Sequence, residues 1–281
     1  ALAEEADVIL AVGTRLQDFT TGSWSVFGNE KMRLISLNAA RYDAHKHRAL
    51  SVVGDALVGI EELGKSLADW SGSESWTSKA GTLYAEWNRT IEEHSGTTDT
   101  VPPSYAHVVG AVNRVCDDTD LALTASGGFP GELCKNWKTK TVGTFDCEFG
   151  FSCMGYEIAG GWGAKMADPS RDVIVFVGDG AYLMLNSDVY SSVLTGHKMI
   201  IILCDNGGFG VINRLQNFKG SASFNNLLED SKVEHLEYVD FVQHAKSMGA
   251  LGEQVESISE LEAAFKRAKA ASRTYLISIK V

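Results

Sequence analysis

The chain has 281 residues, 44% hydrophobic and 22% charged, with a net charge of −11. That length holds one large or two modest globular domains, and the acidic surface repels phosphate backbones and anionic lipids, which argues against nucleic-acid and membrane partners. No apolar run approaches the ~18 residues of a membrane span.

The opening ALAEEADVIL carries no signal peptide and reads as the tail of a helix feeding a strand, so the chain is expected to start inside a domain. Val8 to Val12 is a short buried strand ending at Gly13, Leu34 to Leu37 another, and Val52-Val53 a candidate third. Ala56 to Trp70 carries Leu57, Ile60, Leu63 and Leu67 at helical spacing. This is α/β alternation. Ser71 to Ser78 is Ser- and Gly-rich and reads as a linker. A helix is expected around Leu83 to Glu93, a break at Thr97 to Pro103, and a helix capped by Ser104 that runs to Val115. Alternation resumes with a strand at Leu121 to Ala125, a Gly-rich turn, and a small-residue segment from Phe149 to Ala167. Two amphipathic helices, Val239 to Met248 and Ser259 to Ala271, and a closing strand from Tyr275 complete the chain.

The richest stretch lies between. Two β-branched runs, Val173 to Val177 and Met199 to Cys204, flank an amphipathic middle. That is a strand–helix–strand unit, with Asp179 past the end of one strand and Asn206 past the end of the next. In a parallel sheet both ends open on the ligand-binding edge. A carboxylate and an amide then offer oxygens to a hard cation, and phosphates and water fill the remaining positions around Mg2+. Gly178 and Gly180 beside them allow close approach. A bare Gly-Asp-Gly is also an ordinary turn; the preceding strand, the spacer Ala181 to Asp205 and the Asn206-Gly207-Gly208 run make the pattern specific.

Ser126-Gly127-Gly128, after a strand on the same edge, serves equally as a phosphate cradle or a plain βα turn. Met154 precedes a Gly-rich helix and divides between core packing and a pocket role. Asp146 and Glu148 read as a polar loop or as pocket lining. Gly59 to Ser66 matches G-x-x-x-x-G-K-[ST], but its interior Ile60-Glu61-Glu62-Leu63 is helical, so it is not a P-loop. No G-x-G-x-x-G, H-E-x-x-H or G-x-S-x-G motif occurs. His107, His197, His235 and His244 read as surface helix residues. The five cysteines, Cys116, Cys134, Cys147, Cys153 and Cys204, form no C-x-x-C pair and fit reduced thiols in a cytoplasmic protein.

Together these motifs resemble the thiamine diphosphate (ThDP) enzymes of the acetohydroxyacid synthase and pyruvate decarboxylase superfamily. Residues 79–281 resemble its diphosphate-binding domain, a doubly wound parallel α/β sheet. Residues 1–78, with AEEADVILAVGTRL and SVVGDA, resemble the C-terminal half of its Rossmann-like central domain. Within the superfamily, ISLNAARYDAHKH, LTASGGFPGELCKNW, EFGFSCMGYEIAGGWGAKMA, VGDGAYLMLNSD and LCDNGGFGVINRLQ are similar to the trihydroxycyclohexane-1,2-dione hydrolases of myo-inositol catabolism.

The resemblance implies that Asp179, the Asn206 side chain and the Gly208 carbonyl ligate Mg2+, with Gly180 and Ala181 N–H groups on the diphosphate and Ser126 to Gly128 approaching it. Met154 would hold the cofactor bent, and the Ser152 carbonyl and Met154 N–H would hold its aminopyrimidine edge. The implied reaction is hydrolytic C–C cleavage of a cyclic dione to 5-deoxyglucuronate by a homodimer or homotetramer. The family's activating glutamate sits on an N-terminal pyrimidine-binding domain, absent from these 281 residues, so this chain supplies no catalytic acid and by itself is expected to be inactive. An acetolactate synthase-like carboligase and a non-catalytic diphosphate-binding module are the alternatives.

Overall fold

The computed structural model describes residues 1–148 and 150–281; Phe149, the expected first residue of the small-residue segment, lies outside the described residues. Contacts divide the chain into two units, Ala1–Trp87 and Asn88–Val281. The sequence places its boundary at 78, but the helix Glu74–Ser95 runs through that point. The linker expected over Ser71 to Ser78 is only three residues long, because Ser73 starts the helix: its hydroxyl and carbonyl both accept from the Trp76 N–H.

In the first unit, strands β1 (Val8–Val12), β2 (Arg33–Asn38) and β3 (Leu50–Val53) form a parallel sheet in that order. The helix Ala56–Leu67 starts at Asp55, whose carboxylate caps the Val58 N–H. The P-loop look-alike lies inside this helix, as expected. Its Gly59 is a packing residue: a Cβ there would fall 2.5 Å from Leu37 Cδ2. Leu57 and Ile60 on the same helix are exposed.

The second unit is a doubly wound parallel sheet of six strands. These are β4 (Leu121–Thr124), β5 (Phe145–Cys147), β6 (Val173–Gly178), β7 (Ile200–Asp205), β8 (Leu251–Val255) and β9 (Tyr275–Lys280), in the order β5-β4-β6-β7-β9-β8. Strands β6 and β7 are buried along almost their whole length, and their alternate side chains feed two separate cores. Ile174, Phe176, Ile200 and Ile202 pack with Val108, Phe129, Leu261 and Phe265 on one face. Val173, Val175, Val177, Ile201 and Leu203 pack with Ile158, Tyr182, Val189 and Phe241 on the other. Burial on both faces is why these strands read as unbroken β-branched runs rather than alternating ones. Among the described residues no helix is long and apolar enough to cross a membrane.

Strand order reverses between β4 and β6. The chain leaves β4 toward β5 on one side, then crosses back to β6 and continues outward through β7. The crevice outside the carboxyl ends of two such strands is where open α/β sheets take ligands. Here those ends deliver Ser126-Gly127-Gly128 and Asp179.

Candidate functional site

Asp179 opens the helix Asp179–Met184 directly after β6, and Asn206 follows directly after β7. Strand register fixes their relation: Gly178 pairs with Cys204 across the ladder, so the two side chains emerge from adjacent strand ends. Asp179 is 5% exposed. Its Oδ2 accepts from the Gly208 N–H at 2.8 Å, while its Oδ1 has no partner. Asn206 donates through Nδ2 to the Tyr105 hydroxyl at 2.6 Å, and its Oδ1 is likewise buried and unpartnered.

Unmet buried acceptors are costly and uncommon. Two such oxygens at the ends of neighbouring strands, one carboxylate and one amide, are the donor set a hard divalent cation takes. Burial, followed by the nearby Asp205 carboxylate, raises the Asp179 carboxyl to about 6, with the N–H groups of Gly180, Gly208 and Asn206 pulling it back. Among the described residues no group of three or more His, Cys, Asp or Glu could hold a metal. The site therefore suits a cation that brings other oxygens with it, as a bound diphosphate would.

Gly208 belongs to this turn for a steric reason. Its φ is +143°, and a Cβ would lie 2.5 Å from the Asn226 carbonyl oxygen. The turn is pinned there by Phe209 N to Asn226 O at 2.7 Å and Leu228 N to Gly207 O at 2.8 Å.

Gly180 is equally confined: a Cβ would meet Phe209 Cε1 at 2.9 Å and Met154 Cε at 3.7 Å. Met154 is thus brought onto the Gly-Asp-Gly turn. Its side chain also packs partly buried against the core on that face, so the two readings of Met154 coexist. Ala181 is buried behind it. The loop carrying Ser152, whose φ is +54°, is organised by Glu148. The Glu148 carboxylate accepts from the N–H groups of Cys153 and Phe151, each at 2.8 Å, and these hold it below the usual range. Asp146 accepts from the Tyr156 hydroxyl at 3.0 Å. Both acids organise the loop.

The Ser126 turn differs from expectation. Ser126 presents its N–H (3.1 Å) and its hydroxyl (3.4 Å) to Glu157 Oε1, so both donors point inward. The N–H groups of Gly127 and Gly128 are what the turn has left for a phosphate. Gly127 has φ +81°, and Gly128 lies on the Tyr105 ring, 3.2 Å from Cζ to an added Cβ.

Tyr105 and Glu157 are the two site residues that sequence reasoning missed. Tyr105 spans from the Gly128 turn to Asn206, and burial holds its hydroxyl far above the ordinary phenol range, so it stays neutral. Glu157 is fully buried near the start of the helix Tyr156–Ala167. A charged residue amid YEIAGGWGA was the available signal for it. Of the four histidines expected on helix surfaces, two lie on helices and two do not. His107 completes the capping box with Ser104, His244 meets the Tyr182 hydroxyl at 3.1 Å, and His197 and His235 lie outside helices. All five cysteines are free.

Comparison with known proteins agrees with this architecture. Residues 126–279 match the family described as thiamine pyrophosphate enzyme, C-terminal TPP binding domain, and residues 1–63 match the thiamine pyrophosphate enzyme central domain. The chain is 35% identical over its whole length to a 3D-(3,5/4)-trihydroxycyclohexane-1,2-dione hydrolase from Geobacillus thermodenitrificans, and 33% identical to the enzyme of that name from Clostridium tetani. It spans about half the length of these relatives, 48% of each. A solved thiamine diphosphate-dependent 4-hydroxybenzoylformate decarboxylase from Rhodococcus jostii superposes on 99% of the chain with a TM-score of 0.76 at 18% identity, covering 49% of that structure; this is a likeness of fold. A family match over more than half the residues and identity along the full chain lead to one assignment: the chain belongs to the thiamine pyrophosphate enzymes.

Proposed function

We propose that this chain is the cofactor-holding part of a ThDP- and Mg2+-dependent hydrolase that opens a trihydroxycyclohexane-1,2-dione to 5-deoxyglucuronate in inositol catabolism. The observation that carries the cofactor reading is the pair of buried, unpartnered oxygens, Asp179 Oδ1 and Asn206 Oδ1. The dione reading is supported by identity along the whole chain to hydrolases of that name.

In this reading Asp179 and Asn206, with the Gly208 carbonyl, hold the cation, and the N–H groups of Gly127, Gly128, Gly180 and Ala181 meet the diphosphate. The Ser152 carbonyl and Met154 N–H hold the aminopyrimidine edge, and the Met154 side chain keeps the cofactor bent. Bound ThDP supplies the electron sink that lets a C–C bond beside a carbonyl break. Water completes the reaction, leaving a carboxylic acid on one carbon of the broken bond and hydrogen on the other. The residue that activates the cofactor comes from a pyrimidine-binding domain beyond these 281 residues. Residues 79–281 serve as the diphosphate-binding domain and 1–78 as the end of the central domain of a cytoplasmic homo-oligomer, and the chain alone is inactive.

The test is turnover of the inositol-derived cyclic dione and of pyruvate by the full-length enzyme, with calorimetric titration of ThDP and Mg2+ into wild type and Asp179→Ala. Dione cleavage and cofactor binding lost in the variant are expected. Carboligation of pyruvate alone would make it an acetolactate synthase-like enzyme. Failure of the wild type to bind ThDP would leave a non-catalytic module.

A further inference from the structure

Glu157 makes contacts that capping of its own helix does not explain. Its Oε2 accepts from the Gly155 N–H at 2.8 Å, a local contact of the kind helix N-termini use. Its Oε1 reaches a different element altogether, the turn after β4, where it accepts from the Ser126 N–H at 3.1 Å and the Ser126 hydroxyl at 3.4 Å. The carboxylate is fully buried. One rigid group therefore joins the residue just before Gly127-Gly128 to the residue just after Met154.

Both joined segments are also held on their far sides. Gly155 has φ +97°, and a Cβ there would fall 2.6 Å from Leu185 Cβ, so this backbone sits hard against its neighbour. Gly128 lies against the Tyr105 ring. The Glu157 carboxylate spans the space between the two segments. Burying a carboxylate is expensive unless its hydrogen bonds are made, and here they are made to the two segments it joins, Gly155 on one side and Ser126 on the other. The retained charge is best explained by what it holds apart and together.

Resting on the ThDP reading above, we infer that Glu157 is a positioning residue that sets the distance between the phosphate-facing Ser126–Gly128 turn and the Ser152–Gly155 wedge, so that one ligand can engage both ends at once. Pyrophosphate touches only the phosphate end and follows its own loop. ThDP has to satisfy both loops in register.

The experiment uses the full-length enzyme with Mg2+ and compares ThDP with inorganic pyrophosphate by calorimetry. Glu157→Gln is isosteric but offers one acceptor where two are needed, and its amide places a donor against a backbone N–H. The expected result is a loss of ThDP affinity of about tenfold or more with pyrophosphate affinity changed less than about threefold, each tenfold step being ~1.4 kcal/mol. Glu157→Met, which fills the space with no acceptor, serves as the second variant should the first fold poorly, and the same selective loss is expected of it. Equal loss of both ligands points to a merely structural role and overturns the inference, as does retention of both within twofold. A wild-type enzyme that binds pyrophosphate but not ThDP, or neither, overturns the cofactor reading and this inference with it.

Discussion

Replacing Asp179 by Asn is expected to stabilise the metal-free protein at neutral pH while removing its response to Mg2+. The Asp179 carboxylate is 5% exposed, with one oxygen on the Gly208 N–H and the other unpartnered. Burial, then the Asp205 carboxylate, lifts it from 3.8 to about 6. The folded chain therefore keeps a proton there, across the window from 3.8 to about 6, that the unfolded chain has released. Stability from this group is present at low pH and falls as pH rises through that window. At about 1.4 kcal/mol per tenfold change in proton affinity, the ionised form costs about 3 kcal/mol at pH 7.5 and about half that at pH 5. An amide carries no charge but places a donor where an acceptor sat, which reduces the net gain to about 1–2 kcal/mol. Urea unfolding in EDTA at both pH values reads the difference. Asp179→Asn should be more stable than wild type at pH 7.5, the gap should narrow toward pH 5, and added Mg2+ with ThDP should stabilise only the wild type. A variant less stable than wild type at pH 7.5, or a gap that does not change with pH, would refute the electrostatic reasoning.

Tyr105→Phe keeps the edge-on packing against Phe129, whose ring centroid is 4.9 Å away, but removes the partner of Asn206 Nδ2. Mg2+ affinity measured by calorimetry in the presence of ThDP should fall about three- to tenfold, and an unchanged value would mean the hydroxyl does not orient the amide. Gly208→Ala forces a Cβ to within 2.5 Å of the Asn226 carbonyl oxygen. It should cost about 2–4 kcal/mol in urea unfolding, and a cost under about 1 kcal/mol would show that this turn yields easily. Lys269 Nζ lies 2.7, 2.8 and 3.1 Å from Asp117, Asp120 and Asp172, and Asp120 is almost fully buried. Lys269→Met strands the buried Asp120, while Asp117 is exposed and Asp172 keeps Lys198 at 3.5 Å, and it should destabilise the chain by about 2–4 kcal/mol. Adding Asp120→Asn should recover part of that loss; if the double variant is no better, the ion pairs are not the cause.

The strands that carry the site were legible because burial on both faces selects β-branched runs. Val173 to Val177 and Met199 to Cys204 could be read without knowing their neighbours, and Asp179 and Asn206 follow from where those runs end. β5 was not legible. It is the three-residue edge strand Phe145–Cys147, defined by its pairing with Ala122 to Thr124 rather than by any pattern of its own. β8, Leu251–Val255, carries a polar Gly-Glu-Gln centre and owes its strand conformation to the ladder with β9. The start of the helix at Glu74 was hidden by serines that cap rather than break it. Tyr105 and Glu157 were missed for a related reason. Asn206 lies 101 residues from Tyr105 and Ser126 lies 31 from Glu157, so nothing local announces either contact.

The two missed site residues, Tyr105 and Glu157, both act at the carboxyl ends of the strands of the six-stranded sheet, and the reason is physical. In much of the second unit local preference and tertiary packing agree, as in the capped helix Ser257 leads or the burial of β6 on both faces. At the carboxyl ends of β4, β6 and β7 they conflict. Ser152 takes a positive φ, Gly208 sits where no side chain fits, Glu157 buries a charge, and Asp179 and Asn206 each leave an oxygen unsatisfied. Conflicts of this kind persist only where the surrounding structure over-determines them. The rigid sheet and the Tyr105 and Glu157 bridges do that here. A cation and an anionic ligand arriving together would satisfy the orphaned oxygens and the glycine N–H groups at once. Neither half of that pair resolves the edge by itself, since the cation alone leaves the glycine N–H groups unmet and the anion alone faces the Asp179 and Asp205 carboxylates. Binding of the two is therefore expected to be strongly cooperative, with Mg2+ titrations much tighter in the presence of ThDP than in its absence. Equal Mg2+ affinity with and without ThDP would show that the edge does not act as one site.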